Sequence, residues 1–371
     1  MSIDRTGQNA NRINTEADEM IRLLGNKDEN YIFGCGWMGQ KFLEAVQALG
    51  FRINAFVVTS KNVPQLQGIP VISLEELGPE KRNAKIWVAL RDQDPQLNQR
   101  LAQLFSVVRP VTYPKDITLI EARFFLDYLK GKNISCDENK LRIGDFSFIN
   151  PFQKADDYLL SWVYEAGDLI LPVIFSDYSR VDEGPYEQEY TPLKEQDVVL
   201  DCGANIGLFT GVALQKGCKV YAFEPMPDAA AYLEELKEEY GSRLEICPFA
   251  LADECGTAEF HVQNHDLLGA SMLENNNKID KSYQIAVTTI DDFVARSQVE
   301  RVDYIKADIE GSERDMLKGA RNTIRRFHPK ISICTYHLPD DKEVLEAILK
   351  EIEPRYKIMH QWKKMYAYVP E

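Results

Sequence analysis

Residues 197–211 combine glycines and a carboxylate at a spacing that suits a nucleoside ligand. A short apolar strand is predicted here, followed by a turn with Asp201, Gly203 and Gly207 and then an amphipathic helix. Glycine lets the backbone approach a ligand closely, and the helix N-terminus offers free N–H groups beside it. The next predicted strand ends at Glu224, where a carboxylate can accept both hydroxyls of a ribose. An ordinary tight turn is the alternative, and the position of Glu224 favours the nucleoside interpretation.

Further charged residues are predicted at the same edge of the sheet. Ligands of open α/β sheets bind at the carboxyl ends of the strands, and later strand ends carry Asp253, Asp308 and His337. Each carboxylate alone could equally be a helix cap or a solvated turn residue. Their convergence on one edge predicts an acidic rim with one imidazole, which suits a cationic sulfonium ligand.

A second glycine-rich turn lies near the N-terminus. Gly34, Gly36 and Gly39 form Gly-x-Gly-x-x-Gly between a predicted strand and a helix, the setting of dinucleotide-binding motifs. However, Thr59 and Ser60 stand where a ribose-binding acid is expected. Either this turn binds a nucleotide or nucleotide-sugar, or its glycines only form a tight turn in a domain that holds substrate or a second subunit.

The alternation of strands and helices predicts an α/β protein with two doubly wound domains. The length of 371 residues exceeds the usual size of one domain. We expect an N-terminal accessory domain over residues 1–115 and a mostly helical bridging segment over 116–195. Residues 196–371 are expected to form a second doubly wound sheet that ends in a β-hairpin.

Composition excludes several classes of partner. The net charge of −15, from 43 basic and 58 acidic residues, argues against a nucleic-acid partner. No run approaches the about 20 apolar residues of a membrane span, and the polar N-terminus shows no secretory signal. The seven cysteines are scattered and never spaced as Cys-x-x-Cys, which predicts a reduced, cytoplasmic protein. A homo-oligomer is left open.

Four blocks in the second half of the chain carry a family resemblance. They are Asp201-Cys-Gly-Ala-Asn-Ile-Gly207, Phe223-Glu-Pro225, Ile305-Lys-Ala-Asp-Ile-Glu-Gly-Ser-Glu313 and Leu317-Lys-Gly-Ala320. From about residue 186 onward, the chain therefore resembles the FkbM-type methyltransferases. The resemblance implies a class I sheet that binds S-adenosylmethionine (SAM) and O-methylation of hydroxyls on sugars, macrolides and related natural products.

The N-terminal domain resembles the small Rossmann-like domains found beside sugar-modifying enzymes in surface-polysaccharide pathways. This looser resemblance rests on the glycine turn and on the Gly68-Ile-Pro-Val71 pattern. It favours a sugar, free or carrier-linked, as the methyl acceptor, in polysaccharide or glycoconjugate assembly.

The convergence of the strand ends predicts how the cofactor is held. Asp201, Asn205 and Gly207 are expected to line its methionine side, with Gly203 in the same turn, while Glu224 takes the ribose and Asp253 caps the adenine amine.

Methyl transfer to a sugar hydroxyl benefits from a positioned base. His337 is the candidate, since an ordinary histidine pKa of about 6.5 suits this task, and Asp308 would orient the imidazole or hold the hydroxyl. Alternatively, Asp308, Glu310 and His337 bind a divalent cation that acidifies the hydroxyl. We favour the base over the metal. A surface histidine without a role is the remaining interpretation.

A different class of function also fits part of the sequence. The N-terminal Gly-x-Gly-x-x-Gly turn could serve an NAD(P)-dependent oxidoreductase or a nucleotide-sugar-binding scaffold, with the second domain as its partner.

Overall fold

The computed structural model describes residues 7–25, 29–78, 81–90, 94–112, 115–129, 131–154, 156–178, 181–263 and 279–370. Within the chain, two compact units are distinguished: the first comprises Met1–Leu141 and Asn150–Val163, and the second comprises Arg142–Ile149 and Tyr164–Glu371.

The first unit contains a six-stranded sheet. Its elements are α1 Gly7–Leu24, β1 Asn30–Phe33, α2 Trp37–Ala48, β2 Ala55–Val58, β3 Gln65–Leu66, β4 Ile69–Ser73, α3 Leu74–Leu77, β5 Lys85–Val88, α4 Pro95–Leu104, β6 Val107–Pro110 and α5 Lys115–Leu129. The strand order is β3-β4-β2-β1-β5-β6, and all neighbours pair in parallel except β3 and β4. This is the predicted Rossmann-like arrangement, built on apolar strands such as β1, which is buried along its whole length.

Packing explains two of the three glycines in the turn after β1. A Cβ on Gly34 would lie 2.8 Å from the carbonyl oxygen of Ala89, and one on Gly39 would lie 2.1 Å from that of Gly34. A Cβ on Gly36 would meet nothing within 4 Å. The motif therefore has a structural reason at its first and third glycines that is independent of any nucleotide.

The expected bridging segment contains strands as well as helices. Between α5 and the second large sheet lie β7 Ile134–Cys136, β8 Lys140–Ile143, β9 Phe146–Ile149 and α6 Asp156–Phe175. The boundaries near residues 115 and 195 stay predictions.

The second unit contains a seven-stranded sheet that ends in a hairpin. Its elements are β10 Val198–Cys202, α7 Leu208–Gln215, β11 Lys219–Phe223, α8 Pro227–Tyr240, β12 Leu244–Cys247, β13 Ala250–Leu251, β14 Gly256–Gln263, β15 Ile279–Thr288, α9 Ile290–Arg296, β16 Tyr304–Ala307, α10 Glu313–Lys318, α11 Arg321–Phe327, β17 Lys330–Cys334, α12 Asp341–Ile352, β18 Lys357–Gln361 and β19 Lys364–Tyr368.

The order of this sheet is β12-β11-β10-β16-β17-β19-β18. The first five strands in that order are parallel, whereas β19 runs antiparallel to both β17 and β18. A separate small sheet has the order β13-β15-β14. The predicted α/β class, with two doubly wound sheets and a terminal β-hairpin in the second, is confirmed.

The core of the second unit lies between this sheet and its helices. Apolar side chains from the central strands, such as Leu200, Ile305 and Ile333, pack with Leu317 and Leu345 from the helices. Central parallel strands are buried on both faces, so the strand ends are where polar side chains can gather.

In the part of the chain that the structure describes, no helix has the length and apolar character that crossing a membrane requires.

We expect Gly39→Ala to destabilise the first unit because its Cβ would collide with backbone that cannot move aside. The cost should be about 1–3 kcal/mol, typical of overpacking, whereas Gly36→Ala should cost less than about 1 kcal/mol because its Cβ enters open space. Thermal and urea unfolding of both variants measure the difference. Equal stability of the two would contradict the packing explanation.

Candidate active site

The carboxyl ends of four strands bring the predicted charged residues to one edge of the second sheet. Asp201 lies in β10, Glu224 follows β11, Asp308 follows β16 and His337 comes three residues after β17. Parallel strands place these ends on the same side. Asp201 is fully buried and Glu224 is 6% exposed, so both carboxylates need partners inside the protein.

The turn after β10 is shaped by glycine and by Glu224. Gly203 and Gly207 have φ of +77° and +84°, a region that favours glycine. A Cβ on Gly203 would lie 1.8 Å from the carbonyl oxygen of Asp308. Asn205 also has a positive φ of +48°, and its backbone N–H donates to Glu224 at 2.8 Å. The turn is therefore held close to both neighbouring strand ends.

Glu224 is fixed in an orientation that leaves it able to accept more hydrogen bonds. Its two carboxylate oxygens accept from the backbone N–H groups of Asn205 and Met226, each at 2.8 Å. Burial raises its pKa to about 7 despite these donors. Each carboxylate oxygen can still accept a further donor, such as a ribose hydroxyl.

Two buried acceptor atoms at this edge have no hydrogen-bond donor among the described residues. They are Oδ1 of Asn205 and Oδ1 of Asp308, the latter 3.6 Å from Nε2 of His337. Buried polar atoms are seldom left without a partner. The donor chemistry of a nucleoside with an ammonium group therefore fits these residues.

A buried ion pair joins the two central strands. Lys306 in β16 and Asp201 in β10 are register partners, with Lys306 Nζ 3.1 Å from Asp201 Oδ1. Lys306 also donates to the carbonyl oxygen of Gly203. Burial disfavours the charged form of Lys306, but Asp201 and neighbouring carboxylates outweigh it and raise the pKa of Lys306 above its ordinary value.

Tyr186 adds a phenol to the acidic edge. Its hydroxyl donates to Asp308 Oδ2 at 2.6 Å, and its backbone carbonyl accepts from the hydroxyl of Tyr304. Asp168 fixes the preceding loop by accepting the backbone N–H groups of residues 182–184. Burial, followed by the nearby Asp308, raises the pKa of Tyr186 well above its usual range, so the phenol remains a donor at neutral pH.

His337 is surrounded by three carboxylates. Its Nδ1 lies 3.0 Å from Glu313 Oε1, while Nε2 lies 3.6 Å from Asp308 Oδ1 and 3.5 Å from Glu310 Oε2. Burial disfavours the imidazolium, but Glu313 and then the other two acids raise the pKa of His337 to about 9. The value of about 6.5 expected for an ordinary histidine therefore does not apply in this setting.

The same cluster has the donor atoms of a metal site. Ligand atoms of Asp308, Glu313 and His337 lie within 4.8 Å of one another, but both oxygens of Glu313 already accept backbone N–H groups of the preceding turn. Glu310 completes the set predicted from the sequence. Burial raises the pKa of Glu310 to about 8. The choice of His337 as a base over a metal ligand stays a prediction.

Asp253 is placed differently from the other candidates. It is exposed in the turn between β13 and β14, and none of the described hydrogen bonds or ion pairs links it to Asp201, Glu224 or Asp308. Its contact with adenine stays a prediction.

Sequence patterns did not identify four residues that the structure places at this edge: Glu165, Tyr186, Lys306 and Glu313. Lys306 is the one of the four that the sequence indicates most clearly, because a charged residue inside an apolar strand requires a buried partner. Glu165 and Tyr186 lie before the matching blocks, and their positions depend on how α6 and the following loop pack.

Aromatic rings lie along the rim beside His337. The ring of Tyr336 is 4.2 Å from that of His337 between centroids, and Tyr336 is 38% exposed. Lys363 Nζ lies 5.6 Å from the Tyr336 ring. The preceding residue, Trp362, stacks on Tyr178 at 5.9 Å with ring planes 2° apart. Aromatic side chains with a few polar groups are typical of small-ligand sites.

The strand order, the glycine turn and the acidic edge define an α/β domain of the methyltransferase type. Residues 201–366 match the family model described as Methyltransferase FkbM domain. This range contains the glycine turn, Glu224, Asp308 and His337. The resemblance seen in the four sequence blocks is confirmed over residues 201–366, which match this family model.

Two relatives match part of the chain. The 2-O-methyltransferase NoeI of Sinorhizobium fredii is 26% identical over 194 residues, covering 46% of this chain and 76% of the relative. The hexuronic acid methyltransferase AglP of Haloferax volcanii is 28% identical over 160 residues, covering 43% of this chain and 63% of the relative. The chain therefore covers less than two thirds of the length of AglP.

The crystal structure of the methyltransferase FkbM from Methylobacillus flagellatus KT is 18% identical to this chain with a TM-score of 0.42, covering 98% of this chain and 94% of the other.

The raised pKa of His337 predicts how stability depends on pH. Because the folded-state value of about 9 exceeds the ordinary 6.5, the stabilisation from His337 is fully present below about pH 6.5 and is lost as the pH rises through 9. Between pH 6.5 and 9.5, the wild type should lose on the order of 2–3 kcal/mol more than His337→Gln.

Urea unfolding at both pH values measures this difference. The control is His360→Gln, which removes an exposed histidine paired with Glu346 and should behave like the wild type. Parallel pH dependence of the wild type and His337→Gln would contradict the raised pKa.

Proposed function

We propose that the chain is a SAM-dependent O-methyltransferase that acts on a hydroxyl of a sugar or a related natural product or glycoconjugate. The observation that carries the proposal is the position of His337 and Asp308 at the same strand edge as the glycine turn and Glu224. A proton acceptor and a nucleoside-binding turn at one edge are what methylation of a hydroxyl group requires.

The donor side of the site is assigned to the residues predicted from the sequence. Asp201, Asn205 and Gly207 would line the methionine part and Glu224 would accept the ribose hydroxyls. When bound, SAM supplies an electrophilic methyl group on a positively charged sulfur. The acidic edge favours such a cation electrostatically.

The acceptor side would use His337 to remove the proton of the attacking hydroxyl. Glu313 lies 3.0 Å from Nδ1, which directs Nε2 towards Asp308 and Glu310. Asp308, held by Tyr186 at 2.6 Å, would accept a hydrogen bond from the substrate. Because the pKa of His337 is about 9, the neutral base is a minor form at pH 7 and becomes more abundant as the pH rises.

Several observations favour a sugar acceptor. NoeI is named a 2-O-methyltransferase and AglP a hexuronic acid methyltransferase. The exposed ring of Tyr336 beside His337 offers a flat apolar surface for the C–H face of a sugar. The net charge of −15 disfavours a polyanionic nucleic acid.

We infer a cytoplasmic location because all seven cysteines are free thiols.

Donor binding tests the first half of the proposal. Gly203→Ala should abolish SAM binding in calorimetric titration because its Cβ would enter the space of the Asp308 carbonyl group. Gly256→Ala is the matched control, since a Cβ there meets nothing within 4 Å, and it should bind as the wild type does. A wild-type protein that binds no SAM would refute the proposal.

Replacement of His337 tests the chemistry. With SAH formation measured over a panel of nucleotide-sugars and glycoconjugate extracts, His337→Gln should lower kcat at least about 100-fold and leave the Kd for SAM within about threefold. The wild-type kcat/KM should rise with pH and level off near pH 9. Unchanged kcat in His337→Gln would exclude the base role.

A chelator separates the base from the metal alternative. EDTA followed by gel filtration should leave the activity of the wild type unchanged. Loss of activity that Mg²⁺ restores would instead assign Asp308, Glu310 and His337 to a cation.

A further inference from the structure

Glu165 is a carboxylate at the donor side of the site that lies outside the matched family domain. It belongs to α6, and its Oε1 accepts a hydrogen bond from Nδ2 of Asn205 at 3.1 Å. The backbone N–H of Asn205 donates to Glu224. Asn205, whose φ is +48°, is therefore held between two carboxylates inside the glycine turn.

The charges that face Glu165 come from two strands. Asp201 lies in β10, Lys306 lies in β16 and Asp308 follows β16 directly. Lys306 is already paired with Asp201 at 3.1 Å. With Glu165 ionised, three carboxylates surround the one ammonium group that acts on Glu165, whereas Asp308 is also balanced by His337 and Lys364.

Burial and this excess of carboxylates both raise the pKa of Glu165. Burial, together with Asp308 and Asp201, raises the pKa of Glu165 to about 8, although Lys306 and the hydrogen bond from Asn205 lower it. By contrast, Lys306 and other nearby cations outweigh burial and lower the pKa of Asp308. At neutral pH, Glu165 is therefore mainly protonated and Asp308 is ionised.

Two buried atoms fit a ligand that completes this cluster. Among the described residues, no donor bonds Oδ1 of Asn205, on the same amide that contacts Glu165, or Oδ1 of Asp308, which lies 3.6 Å from Nε2 of His337. A ligand with a positive charge and N–H donors would bond these acceptors and balance the neighbouring carboxylates.

We propose that Glu165 enables the site to distinguish the positively charged methyl donor from the product of the reaction. This inference rests on the proposed function. SAM and S-adenosylhomocysteine (SAH) share the adenosine, amino and carboxyl groups and differ by one methyl group and one positive charge. The sulfonium favours ionised Glu165, so SAM binding releases a proton from this side chain. SAH lacks that charge and leaves Glu165 protonated.

The consequence is weaker retention of the product. Once the methyl group has been transferred, the positive charge that balanced Glu165 is gone, and the carboxylate takes up a proton again. Product affinity therefore falls relative to donor affinity. Glu165 acts as a specificity-determining residue and takes no part in the transfer itself.

The test compares SAM and SAH binding by calorimetry from pH 6 to 9 in the wild type and Glu165→Gln. The sulfonium lowers the pKa of the amino group in SAM relative to SAH, so the effect of Glu165 is the difference between the wild type and Glu165→Gln in the ratio of Kd for SAH to Kd for SAM. Relative to Glu165→Gln, the wild-type ratio should rise by up to about tenfold per pH unit and level off above pH 8. In Glu165→Gln only the pH dependence of the ligands themselves should remain, with SAH affinity within about threefold of the wild type.

Glu189→Gln is the matched control, because Glu189 is an exposed glutamate of the same unit and its replacement should reproduce the wild-type ratio. A second measurement needs no variant. At pH 7, SAM titrations in buffers of different ionisation enthalpy should show release of more protons than SAH titrations show.

The outcomes are distinct. A ratio that rises with pH in Glu165→Gln as it does in the wild type, or equal proton release for both ligands, overturns the role of Glu165 and leaves the methyltransferase proposal standing. A wild-type protein that binds neither ligand overturns both.

Discussion

The acidic edge of the second sheet depends on the buried ammonium group of Lys306. Several carboxylates gather there, and burying a carboxylate without a partner is costly. Lys306 offsets part of this cost through Asp201 and also bonds the carbonyl oxygen of Gly203. Removing one partner of such a buried pair typically costs about 3–5 kcal/mol. Charge balance and the shape of the glycine turn are therefore coupled, because the same amine serves both.

Lys306 does not balance all the carboxylates at this edge. As a result, the pKa values of several acids and of one base there are shifted from their ordinary values. The pKa values of Glu224, Glu310 and His337 lie at about 7, 8 and 9. Perturbed groups of this kind concentrate at functional sites. Here they follow from a parallel sheet whose strand ends place acids side by side, so a proton or a cationic ligand changes several of them together.

Much of this arrangement could be predicted because it depends on local patterns. Glycines that require a positive φ and acids at strand ends follow from the βα repeat, so the sequence predicts Gly203, Glu224 and Asp308 at one edge, where the structure has them, and their roles at a cofactor stay predictions. Glu165 could not be found, since its place depends on how α6 packs. The pKa of His337 depends on Glu313, whose orientation is set by the turn before α10. At Gly34 and Gly39 the close packing explains the glycines, and nucleotide binding at this turn stays a prediction.

The position of β19 has a consequence for biosynthesis. This strand lies between β17 and β18, yet it is made after both, so the sheet cannot be completed until β19 has emerged from the ribosome. Until then, β17 presents an unpaired edge, a surface prone to wrong pairing. Lys364, in the same strand, lies 4.0 Å from Glu183 and is 1% exposed. The late strand thus brings a second buried cation to the acidic edge. A pause in translation before β19 would leave both the sheet and its charge balance incomplete.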